Sequence, residues 1–223
     1  MGVQEKAQVT SAKLQNSSFI FDFTDYQEGT IESWLKEKGF KFKLGANNRR
    51  ARVFRADENG CTVEVKKPIR GYVLNDSVGL ERFSKVRIEW GVIEYPEGVS
   101  YEQNINNEPA MLVIFYGYGK IYSGHFAIPN APYFIGFFLG ENDVVNKVYK
   151  GNYFQKGGRY ICVGNPEPNK MIVTEIDLIT AFQGSFDKDD VPVISGIAIG
   201  GDTSKAKNLG RASAIFKRIE FLE

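Results

Sequence analysis

A chain of 223 residues, 43% apolar and 25% charged, has the ordinary composition of a soluble globular protein and the length for one sizeable core. A formal net charge of +1 removes any global electrostatic case for nucleic acid or an anionic membrane, and no run approaches the roughly 18 apolar residues of a membrane-spanning helix. One histidine and the absence of a C-x-x-C pair exclude a zinc site of the usual kind; Cys61 and Cys162 read as two buried thiols or, in an oxidising compartment, as a disulfide across a sheet.

Residues 1–17 are polar and aperiodic and read as a flexible N-terminal arm, leaving 18–223 as a single domain. The arm lacks the apolar core of a secretory signal, which points to the cytoplasm for the chain as given, or to the periplasm or exterior if a leader has been removed. SFIFDF then alternates like a strand, and TDYQEGTIESW is turn-rich with one helical turn ending near Trp34. GFKFKL sets Phe40, Phe42 and Leu44 against Lys41 and Lys43, the pattern of a half-buried strand. ARVF and CTVEVKK are two strands split by a hairpin signal at Asn59-Gly60. In KVRIEWGV, Val86, Ile88, Trp90 and Val92 alternate with Arg87 and Glu89, so Trp90 is expected inside and Glu89 outside. AMLVIFYGYG is continuously apolar, which predicts a central strand covered on both faces; YFIGFFLG and RYICVG read the same way.

TEIDLITAFQGSF alone has helical spacing, predicting one short helix near 175–184. Thr174 can cap it with Asp177 closing a capping box, Ile176, Ile179 and Phe182 form its stripe, and Gly184 is its stop. VISGIAIGG and SAIFKRIEF are the last two long strands. In the second, Ala214 and Phe216 share one parity and Ile219 and Phe221 the other, so both sets are buried only if a β-bulge falls near Lys217-Arg218. Many short strands, frequent turns and one helix predict an all-β fold: an antiparallel two-sheet β-sandwich of jelly-roll type.

Two stretches are similar to one known family. Val86–Gly117 and Met171–Phe221 resemble the core and the close of an uncharacterised bacterial β-sandwich family, known only as a domain of unknown function. The matching motifs are a Trp-bearing strand, a turn at Pro96 to Gly98, an acidic pair, an apolar strand, a helix near Phe-Gly, and a last strand ending Ile-x-Phe. Here the acidic pair is Asn107-Glu108, Leu112 stands where an arginine usually follows, and the loop Asp202-Thr203-Ser204 has lost its second acid. The resemblance implies a sandwich like those of carbohydrate-binding modules, with any family ligand or metal site on those acids weakened.

Several residue sets bear on function. Glu89 and Glu94 carry the outer spacing of the E-x-D-x-x-E run of retaining β-glucanases, whose chemistry needs two carboxylates about 5–5.5 Å apart; Gly91 replaces the central acid. His125 has no G-x-S-x-G partner and reads as a structural histidine at a strand end. Asp22, Asp25 and Asp202, with Glu28 and the Asp187, Asp189 and Asp190 cluster, are the oxygen ligands available to a structural calcium, although none forms an EF-hand pattern. For Asp202 the stronger reading is a turn residue accepting from the N–H of Thr203 or Ser204. Tyr95 and Tyr101 near strand ends offer flat stacking surfaces, and Asn104, Asn106, Asn107 and Glu108 offer hydrogen-bonding partners for sugar hydroxyls.

The leading reading is therefore a non-catalytic binding module for a glycan. The alternative is a structural subunit that self-associates through its N-terminal arm or a sheet edge; the third is a glycoside hydrolase using Glu89 and Glu94.

Overall fold

Alternation in the sequence becomes two stacked sheets in the computed structural model, which describes residues 18–26, 30–48, 52–78, 80–105, 108–207 and 210–223. In chain order the elements are β1 (Ser18–Asp22), α1 (Ile31–Glu37), β2 (Lys41–Leu44), β3 (Arg52–Asp57), β4 (Gly60–Val65), β5 (Arg70–Asn75), β6 (Lys85–Glu94), β7 (Glu108–Ile121), β8 (Ala131–Leu139), β9 (Val148–Tyr149), β10 (Gly158–Gly164), β11 (Lys170–Asp177), α2 (Leu178–Phe186), β12 (Ile194–Asp202) and β13 (Ala212–Leu222). The first sheet runs β11-β6-β13-β4-β3, with β1 also paired to β13; the second runs β2-β5-β12-β7-β8-β10-β9.

One core fills the space between the sheets. From the first sheet Val86, Ile88, Trp90 and Val92 are fully buried, while Arg87 is exposed and Glu89 half-buried, as period-2 alternation requires. The indole N–H of Trp90 donates to Thr174 Oγ1 at 3.0 Å, so the largest core side chain leaves no polar atom unsatisfied. The second sheet contributes Leu112, Ile114, Ile135, Phe137, Ile197 and Ile199 to the same cluster. On β13 the register against β6 shifts between Phe216 and Arg218, and Ala214, Phe216, Ile219 and Phe221 are all fully buried. The predicted bulge is what lets both parities face the core. Cys61 and Cys162 are buried thiols, one in each sheet.

The structure corrects four expectations. The sandwich is not wholly antiparallel: β8 and β10 run parallel, because the chain crosses over through 140–157 and returns in the same direction, with β9 added outside β10. Among the described residues there are two α-helices, not one. Thr30 Oγ1 accepts from Ser33 N–H at 3.2 Å and caps α1, whose Ile31, Trp34 and Leu35 bury at helical spacing. The second helix begins later than expected. Asp177 is its N-cap, accepting from Thr180 N–H at 2.8 Å, while Thr174 stays in β11; Leu178 and Phe182 form the buried stripe, Ile179 is exposed, and the helix continues past Gly184 to Phe186. Leu44 also departs from its predicted buried face: the backbone there takes a φ of 52° into a short turn and leaves the side chain exposed. The arm at 1–17 lies outside the described residues. Among the described residues no helix is long and apolar enough to cross a membrane.

Candidate functional site

The central strands of the second sheet are apolar on both faces, and the outward face is where a site forms. On β7, Leu112 and Ile114 point into the core while Met111 and Val113 join a separate cluster outside it. Neighbouring strands follow the same alternation, so Tyr72 and Leu74 of β5, Ala198 of β12, Phe134 and Phe138 of β8, and Tyr160 and Cys162 of β10 share that outer surface.

Strict alternation would turn Glu108 inward with Ala110 and Leu112. A bulge prevents this. Gly200 pairs with Met111 and Asp202 with Glu108, so one residue of β12, Gly201, faces two residues of β7, Pro109 and Ala110. Glu108 is thereby re-aimed to the outer face beside Asp202, the use to which bulges near sites are commonly put. A side chain at Gly201 would forbid the arrangement, since a Cβ there would stand 2.6 Å from Glu108 O and 2.8 Å from Pro109 O.

A cleft of about 150 Å³ opens over this surface. Its apolar lining comes from Met111, Val113, Phe115, Phe134 and Tyr160, and one wall is the crossover segment, which supplies Asn152, Tyr153 and Phe154. The parallel connection that departs from the expected topology is thus what brings these residues to the sheet. At one end lies a polar row from three adjacent strands: Arg70, Asp202 and Glu108. Asp202 Oδ1 accepts from Ser204 N–H at 2.8 Å, the turn role expected for it, and Oδ2 meets Arg70 Nε at 3.2 Å. Burial raises the pKa of Tyr160 above its ordinary value, with the charges of Glu108 and Asp202 adding to the effect, and burial does the same to Tyr72. Both phenols are therefore neutral donors throughout the physiological range.

Beneath the row, Tyr101 is almost wholly buried, stacked on Phe138 at 4.5 Å between ring centroids, and its hydroxyl donates to Glu108 Oε2 at 2.9 Å. Burial and the adjoining Glu108 carboxylate push its pKa well up. Tyr101 is held in turn by Asp143, whose Oδ1 accepts from Tyr101 N–H at 2.7 Å and Ser100 Oγ–H at 3.1 Å. From the other side, Glu102 accepts from the hydroxyl of Tyr149 and pairs with Lys147 at 2.7 Å. The floor of the polar end is therefore fixed before any ligand arrives.

The predicted site residues divide accordingly. Tyr101 and Glu108 come together at the cleft, though Tyr101 serves as support and not as an open stacking face. Tyr95 packs against the inter-sheet core and donates to Pro166 O at 2.7 Å, and Asn104 is an exposed residue in left-handed conformation closing the turn after Tyr101; neither lines the cleft. Asn106, Asn107 and Glu28 lie outside the described residues. Glu89 and Glu94 belong to the other sheet, where Glu89 pairs with Lys217 at 2.8 Å and Glu94 with Arg211 at 3.8 Å. Asp22 accepts from Thr24 N–H in the first sheet; burial raises its pKa, but the Thr24 bonds and Arg218 outweigh this and lower it. Asp25 follows it in the first sheet's N-terminal turn and Asp202 lies in the second sheet; among the described residues no three His, Cys, Asp or Glu side chains gather to hold a metal ion. His125 sits in the loop after β7, where its Nδ1 accepts from Ala127 N–H at 3.2 Å, and Ser123 Oγ bonds the carbonyls of His125 and Ile128 instead of the imidazole.

Sequence reasoning missed Arg70, Tyr72, Asn152, Tyr153, Phe154 and Tyr160. A signal existed for three of them: Arg70 and Tyr72 in RGYVLN, and Tyr160 in RYICVG, stand at the parity opposite to the core-facing Val73 and Ile161. Nothing local marks the crossover residues.

No family model and no curated protein matches the chain, so the family resemblance of Val86–Gly117 and Met171–Phe221 gains no support from these comparisons. Solved structures do match in outline. The K2 cleaved adhesin domain of Lys-gingipain aligns over 92% of this chain and 99% of its own, at 12% identity and a TM-score of 0.44. Endoglucanase 3 of Trichoderma harzianum, from glycoside hydrolase family 12, aligns over 95% of this chain and 100% of its own, at 7% identity and a TM-score of 0.42. Likenesses this distant carry no argument about ligand or activity.

Proposed function

We propose that the protein is a non-catalytic glycan-binding module whose ligand occupies the cleft on the outer face of the second sheet. The observation that carries this reading is the pairing of an aromatic-lined cleft with one polar end: rings for the apolar face of a pyranose, and Arg70, Asp202 and Asn152 for its hydroxyls. A purely apolar ligand would take water from that polar row and supply no hydrogen bond in return. Binding is favoured over hydrolysis because the two cleft carboxylates are already engaged: Glu108 by the Tyr101 hydroxyl, Asp202 by Ser204 N–H and Arg70.

The test is a glycan array probed with the wild type and with Tyr153→Ala, which removes a half-open ring from the cleft wall. Retention of at least one neutral glycan class by the wild type, weakened in the variant at an unchanged melting temperature, supports the reading. Stacking of the strength seen for aromatic pairs, about 0.5–1.5 kcal/mol, corresponds to a loss of roughly two- to tenfold. If no glycan is retained at millimolar concentration, the reading is rejected.

A further inference from the structure

The cleft is small. Its volume of about 150 Å³ is well below the roughly 300–1,000 Å³ of pockets that enclose a drug-sized ligand, so a ligand larger than one ring must continue over the rim. The rim beyond Tyr153 is aromatic. The edge-on contact of Tyr153 with His125 has centroids 5.9 Å apart, and Phe126 stacks on His125 at 4.9 Å and 24°. Phe126 is 92% exposed, the most open of the exposed large apolar side chains described.

That exposure does not come from a loose loop. Ser123, fully buried, shares its one hydroxyl proton between the carbonyls of His125 and Ile128, accepts at Oγ from His125 N–H, and donates its own N–H to the side-chain oxygen of Asn130. Its carbonyl accepts from Phe154 N–H at 2.7 Å, which ties the loop to the cleft wall. A pinned, solvent-facing ring joined to an aromatic cleft is a preorganised contact surface. The stretch that holds the stack, residues 121–146, contains no Lys or Arg, so the stack itself offers ring faces in place of ion pairs.

We propose that the His125-Phe126 stack is a second sugar subsite continuing the cleft past Tyr153, so that the ligand is a linear chain of neutral pyranose units. This rests on the cleft reading above. Two linked subsites engage one chain at high effective concentration, and affinity therefore rises with chain length until both are filled.

The experiment is titration calorimetry with cello-, xylo- and manno-oligosaccharides of two and of six units, on the wild type, Phe126→Ala and His125→Ala. In the wild type the longer member of the recognised series binds about tenfold or more tightly than the shorter. Both variants keep the affinity for the shorter sugar and lose most of that gain; the melting temperature is unchanged for Phe126→Ala, at an exposed position, while His125→Ala also loses the bond from Ala127 N–H. Wild-type binding with the same length dependence in both variants overturns the second subsite while leaving the cleft reading intact. No binding of any member, with an empty glycan array, overturns both. Co-sedimentation with phosphatidylcholine–phosphatidylglycerol vesicles that depends on Phe126, without a chain-length effect, assigns the platform to a membrane surface and overturns the proposal.

Discussion

Glu108 and Asp202 face each other across β7 and β12 on the outer surface because Gly201 stands opposite two residues, Pro109 and Ala110. Replacing Gly201 by Ala puts a Cβ 2.6 Å from the Glu108 carbonyl oxygen, and backbone must move to relieve it. The expected cost is about 1–3 kcal/mol, the range for overpacking a close approach. Chemical denaturation with a lowered midpoint and an unchanged m-value checks this. A variant as stable as the wild type would show that the bulge accommodates a side chain.

Arg70 is half-exposed and its ion pair with Asp202 contributes little to folding, about 0–1 kcal/mol. Its weight falls on the ligand. Arg70→Ala should leave the melting temperature nearly unchanged and weaken a bound glycan by about tenfold or more, as for loss of a charge-assisted hydrogen bond. Calorimetry and a thermal melt on the same preparation separate the two effects. Lost stability with intact affinity would assign the pair to the scaffold.

Trp90 lies on the inner face of the first sheet, away from the cleft, and is fully buried with its N–H on Thr174. Trp90→Ala should cost about 3–5 kcal/mol, or roughly 6–20 °C in melting temperature for a chain of this size. Thr174→Val, which removes the acceptor and keeps the shape, should cost about 1–3 kcal/mol. Glycan affinity of the folded fraction should not change in either variant. A loss of affinity at full stability would mark Trp90 as a binding platform.

Asp143 gives a pH signature. Burial raises its carboxyl pKa above the ordinary 3.8, with the bonds from Tyr101 N–H and Ser100 opposing the rise. As pH climbs, the unfolded chain releases this proton before the folded one does. The contribution is therefore fully present below the unfolded pKa and is lost as pH rises through the higher folded pKa, a window beginning near pH 4 (about 3.9). Asp143→Asn keeps an acceptor oxygen for Tyr101 N–H and lacks the titration. Across melts from acid to neutral pH, the variant should gain on the wild type as pH rises through that window. A constant difference would mean that Asp143 titrates alike in both states.

The amino-acid sequence by itself determined what depends on near neighbours along the chain. Alternation set the inward face of β6, and the mismatched parities of Ala214, Phe216, Ile219 and Phe221 required the bulge on β13, because a strand has a period of two and water penalises any exposed apolar set. Asp202 was legible as a turn residue because its partner, Ser204, is two positions away. The cleft was not legible, because its residues meet only through pairing at long range. Arg70 reaches Asp202 across β5 and β12, Glu108 is turned outward by a bulge whose other strand lies far along the chain, and Tyr153 arrives on the parallel crossover between β8 and β10. A run of apolar residues states that both faces of a strand are covered. It does not state by what, and here one face is covered by the other sheet and the opposite face by an aromatic cleft, a choice made by strand order and register alone.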